Sequence, residues 1–147
     1  MTRKDVVKQL KEKAEIEIGS LKKSVMDLIF DFGGGDPISS DMNIEISDVR
    51  DDGKLIGTEV IESIFVHETS NYLYSLEITR NRYISDEEPE IFNVNNFIDI
   101  KLYWNDSSDS LTYRADYYPN MSNESVVEDV KSLIKAAELI MKNAWNK

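Results

Sequence analysis

The sequence predicts an α+β protein: a single antiparallel sheet of about five strands, with N- and C-terminal helices packed on one face. Three observations predict it. Apolar residues recur in steps of three and four at both ends of the chain, and in steps of two through the middle. Short turn-forming segments separate the alternating stretches, as hairpins require. The terminal stripes and one sheet face would then bury each other.

Taken in order, Thr2 and Asp5 form a near relative of a capping box, so a helix is expected from Arg3. Val7, Leu10, Ala14, Ile18, Leu21, Val25, Leu28 and Phe32 make its stripe, with Gly19 a weak point inside it. Helix is expected as far as about Leu28. From Met26 to Phe32 the apolar residues also alternate as a strand would, so both readings stand there. "FDFGGGDP" (30–37) follows, and Gly33–Gly35 are expected to form a turn that binds no nucleotide. A phosphate loop leads into a helix N-terminus with a lysine, whereas these glycines meet Asp36 and Pro37, and no basic residue comes before Arg50.

Met42, Ile44 and Ile46 then alternate with polar residues, and Asp52-Gly53 signals a turn. Residues 58–67 and 72–79 are rich in β-branched and aromatic side chains and read as a hairpin. "SDEEPE" (85–90) reads as a polar loop. Ile98 to Trp104 and Leu111 to Tyr117 alternate cleanly around "NDSSDS", the clearest hairpin of the chain. Ser122 caps a last helix, expected over 122–145, with Val126, Val130, Leu133, Ala137 and Ile140 as its sheet-facing stripe. Ile134 and Val127 widen that stripe.

A chain of 147 residues is expected to form one domain with a core that needs no staples. Cysteine is absent, which removes thiol nucleophiles and thiolate metal sites. The start has no signal-like apolar run, and no stretch is long enough to span a bilayer, so a soluble cytoplasmic protein is expected. The net charge is −11 and is unevenly placed. Residues 1–23 carry seven basic and four acidic side chains, residues 24–121 six and twenty, and residues 122–147 four of each. The acid excess therefore lies in the sheet region. Its field would repel nucleic acid and anionic membranes and attract cationic partners, although solubility alone also explains an acidic surface.

No short motif names a reaction. His67 is the single histidine and lacks any paired ligand spacing, so it reads as a polar strand-end residue. Asp48, Asp51 and Asp52 before Gly53 lack calcium-loop spacing and read as turn chemistry. No catalytic residue, metal ligand or cofactor is expected. Asp86, Glu87, Glu88 and Glu90 form an acidic knot on one loop, and Asp99 and Asp116 lie on polar sides of the last hairpin. These six, with Tyr103 among seven tyrosines near the strands, are the candidate partner-binding residues.

Small size, absence of cysteine, a one-domain layout and a strongly acidic sheet region together resemble two classes: bacterial toxin-immunity proteins and phage-encoded anti-defence inhibitors. The resemblance implies an acidic surface that blocks a basic enzyme, typically a nuclease toxin, by occupying its substrate cleft. The alternative expectation is a small-ligand-binding protein or enzyme with a pocket between sheet and helices. The oligomeric state is left open.

Overall fold

A computed structural model describes residues 3–32, 40–67, 74–87, 94–104, 110–116 and 122–145. The chain runs through helix α1 (Arg3–Phe32), strands β1 (Ser40–Asp51), β2 (Lys54–Val66), β3 (Tyr74–Ser85), β4 (Val94–Trp104) and β5 (Ser110–Asp116), and helix α2 (Asn123–Trp145). The strands form one antiparallel sheet in the order β1-β2-β3-β4-β5, so every strand pairs with its neighbour in sequence. This is the expected α+β architecture.

The ambiguity between Met26 and Phe32 resolves as helix. Val25 and Leu28 continue the stripe begun by Ala14, Ile18 and Leu21, and all five are buried. Extending an existing helix costs far less than nucleating a new element, so local alternation loses. Gly33–Gly35 lie outside the described residues, as does Thr2.

The β1–β2 hairpin closes on Asp52 and Gly53, with Asp51 paired to Lys54. Both turn residues have positive φ, 49° and 77°, as a two-residue turn of this hand demands. One β-bulge lies between Val49 and Arg50. The β2–β3 strands pair from Gly57↔Ser85 to Val66↔Leu76. Here the structure extends the expected strand: β3 continues past Thr79 to Ser85. Arg80, Asn81 and Arg82 have low strand propensity, but a partner on each side supplies the pairing that overrides it.

Even-numbered residues of β2, β3 and β4 point to the helices. Val60, Ile64 and Val66, Leu76, Ile78 and Ile84, and Ile98, Ile100 and Leu102 are all buried. Helix α1 packs over β1 and β2, α2 over β4 and β5, and the helices touch each other. A smaller group at the α1 end joins Ala14, Val60 and Ile84, with Leu10, Ile44 and Ile46 against it.

Helix α2 differs from expectation in one position. The fully covered stripe is Val126, Val130, Ile134 and Ala137, while Leu133 is partly buried. Steps of four, four and three keep that set within a narrow sector of the helix, and Leu133 lies at its edge. Ile140 is outside the side chains described. None of the described helices is long and apolar enough to cross a membrane.

Candidate functional site

Because β2–β4 alternate and the helices take the even-numbered side, the odd-numbered residues form a second face. Among the described residues nothing covers it. The registers of the four strand pairs define its rows. One row runs Glu45, Ile61, Asn81, Phe97, Asp116; the next runs Asn43, Ser63, Thr79, Asp99, Arg114. A third runs Asp41, Phe65, Glu77, Lys101, Thr112. Ser47, Glu59 and Tyr83 lie in line toward the β1–β2 turn.

This face carries six carboxylates, Asp41, Glu45, Glu59, Glu77, Asp99 and Asp116, against the cations Lys101 and Arg114. Phe65 and Tyr103 are among the large apolar or aromatic side chains most exposed to solvent, at 37% and 36%. Ile61, Tyr83 and Phe97 are half-buried on the same face, nearer the β1–β2 turn.

The two halves of the face differ in electrostatics. On β4–β5, Arg114 Nε lies 3.5 Å from Asp99 Oδ1 and 3.3 Å from Asp116 Oδ1. The same guanidinium sits 5.1 Å from the centre of the Phe97 ring, a cation–π contact. Lys101 stands opposite Glu77 in register. That half is partly compensated, two cations standing among three carboxylates. On β1–β2 the carboxylates of Glu45 and Glu59 have no lysine or arginine partner among the described residues, and Glu45 Oε1 accepts only a hydrogen bond from Asn43 Nδ2. His67, at the end of β2, lies 2.7 Å from Asp41 Oδ2.

The structure thus brings Asp99, Asp116 and Tyr103 together on the open face. It places Asp86 and Glu87 elsewhere, exposed beyond the end of β3, where the Asp86 amide donates to the Ile56 carbonyl at 2.9 Å. Glu88 and Glu90 lie outside the described residues. Sequence reasoning passed over Glu45 and Glu59, although their alternation with Ile44, Ile46 and Val60 marks their side of the sheet.

One charged group faces the other way. Glu62 is fully buried on the helix side, directly opposite Arg80 in the β2–β3 register. Arg80 Nε donates to Glu62 Oε2 at 2.5 Å, and Arg80 Nη2 pairs with the same oxygen. Arg82 Nη2 donates to Glu17 Oε2 at 2.6 Å and lies 3.6 Å from Glu62 Oε2. Burial pushes the Glu62 carboxyl above the usual range, opposed by the fields of Arg80 and Arg82, and the same burial lowers Arg80. Two carboxylates balance two guanidinia here, so the cluster ties α1 to the centre of the sheet without net charge.

Among the described residues, a surface groove of about 320 Å³ lies between the outward sides of the helices, lined by Ser20, Ser24, Asn123, Glu124, Val127 and Glu128. Among the described residues, no three His, Asp or Glu side chains are grouped to hold a metal ion. Comparison with protein-family models, curated proteins and solved structures found no match.

Proposed function

We propose that the protein is an acidic, cytoplasmic inhibitor that binds a basic protein partner, such as a nuclease toxin, and covers its substrate cleft. The observation that carries this reading is the open sheet face, with six carboxylates to two cations and with Phe65 and Tyr103 exposed among them. A nuclease cleft is basic because it holds phosphates, and a rigid acidic face meets the same lysines and arginines. Exposed aromatics beside the charges then supply the desolvated contact that lengthens the complex lifetime.

The experiment reads the neighbouring genes, purifies any basic, toxin-like protein that they encode and pairs it with the purified protein. Nuclease activity should fall to background at one-to-one stoichiometry, and the two should co-elute on size exclusion. Full activity in the presence of excess protein would overturn the proposal. So would binding that leaves the nuclease cleft open to substrate.

A further inference from the structure

We infer that the basic partner covers the open face with its lysine or arginine side chains over Glu45 and Glu59 and its apolar centre on Ile61 and Phe65. This rests on the inhibitor reading and specifies which half of the face does the recognising. The charge arrangement carries it. Asp99 and Asp116 already share Arg114, so a partner cation arriving there competes with a built-in one. Among the described residues Glu45 and Glu59 have no such cation, and they flank Ile61 on adjacent strands, since Glu45 pairs with Ile61 and Glu59 lies two residues before it. A partner cation there gains its attraction without displacing a cation of the described residues.

The size of the face fits a protein better than a small ligand. Five strands at about 4.8 Å and about nine residues at about 3.3 Å give roughly 24 by 30 Å, or about 700 Å². A stable interface takes about 800 Å² per partner, so the face and its rim meet that size. A second copy of this chain is disfavoured, because it would bring the same carboxylate excess against the face. The inner strands are already paired on both edges, so a partner on this face meets side chains, not backbone.

The test uses the full chain, labelled with nitrogen-15, and a short peptide alternating arginine with valine as a probe of cationic, apolar chemistry. Amide shifts should concentrate on Glu45, Glu59, Ile61 and Phe65. Changing Glu45→Gln and Glu59→Gln together should weaken the probe's binding about tenfold or more, the combined effect of two charge contacts. Changing Asp99→Asn and Asp116→Asn together should alter it far less. Both pairs are exposed or half-buried on the sheet surface, and an unchanged melting temperature separates loss of binding from loss of fold. Shifts confined to the β4–β5 half or to the helices, equal effects of both pairs, or a dimer formed through this face in sedimentation would overturn the inference. The inhibitor reading fails separately. If the probe maps to Glu45 and Glu59 but no basic nuclease offered as partner is inhibited, the footprint stands and the inhibitor reading falls. If the nuclease is inhibited and the double glutamine variant inhibits equally well, the footprint falls and the reading stands.

Discussion

At the scale of single residues, two positions repay mutation. Glu62 has no exposed surface, and its Oε1 makes no hydrogen bond among the described residues, so its stability contribution rests on Oε2 and two guanidinia. Removing the carboxylate leaves buried Arg80 with the more distant Glu17 Oε2, 3.7 Å away. Glu62→Ala should therefore cost about 3–5 kcal/mol, the usual penalty for breaking a buried pair. Glu17 is 33% exposed, and water solvates what its loss leaves behind, so Glu17→Gln should cost clearly less. Urea unfolding of both variants measures the order. The second position is Gly57. A Cβ there would lie 2.5 Å from the Ile84 carbonyl oxygen and 2.6 Å from the Tyr83 hydroxyl. The Tyr83 ring rests over the glycine and its hydroxyl donates to the Ile56 carbonyl at 3.3 Å. Gly57→Ala should destabilise by about 1–3 kcal/mol, as overpacking does, with a lowered urea midpoint and an unchanged slope.

At the scale of elements, helix α2 offers a direct comparison. Ile134 is buried against the sheet and Leu133 sits at the edge of the same stripe. Ile134→Ala should cost about 2–5 kcal/mol and Leu133→Ala distinctly less, and equal losses would contradict the helix orientation. The start of α2 is equally checkable. Ser122 Oγ accepts from the Ser125 amide at 3.2 Å, which satisfies one of the free N–H groups of the first turn. Ser122→Ala should cost about 1 kcal/mol, read from the thermal midpoint. Both the cap and the 3.6-residue period were legible in the sequence. The sheet-facing sector was legible only to within one residue, because Leu133 and Ile134 are neighbours on the helix and only the sheet's position decides between them.

At the scale of the whole molecule, the governing quantity is the distribution of charge. The net −11 sits mainly on the sheet region, while the first 23 residues are net basic. An exposed field of this kind is screened over about 8 Å at physiological ionic strength. Raising salt from low to physiological should slow association with a basic partner severalfold, and dissociation should change less because short-range contacts set it. Stopped-flow mixing across a salt series reads both rates, and a salt-independent association rate would count against electrostatic steering. Neutralising Asp86 and Glu87 should leave the fold intact, since exposed charges add little to stability.

The sequence by itself determined the element order, the Asp52-Gly53 turn, the hairpin pairing and the α+β class. Each of these is written in residues a few positions apart: steps of three and four for helices, steps of two for strands, positive-φ residues where strands reverse. Only the tertiary structure decided how far β3 runs, which side of the sheet the helices cover, and where the charges meet. Glu62 and Arg80 are 18 residues apart in sequence, and Glu17 and Arg82 are 65 apart. Glu62 stands between Val60 and Ile64 on the inward side, and its arginine partners come from the β2–β3 register. The same holds for the candidate site. The sequence showed an acid excess over the sheet region; the pairing of strands set Arg114 beside Asp99 and Asp116 and left Glu45 and Glu59 without a cation among the described residues. Periodicity is a property of neighbours along the chain, whereas register and facing are properties of neighbours in space, fixed only when distant segments pair.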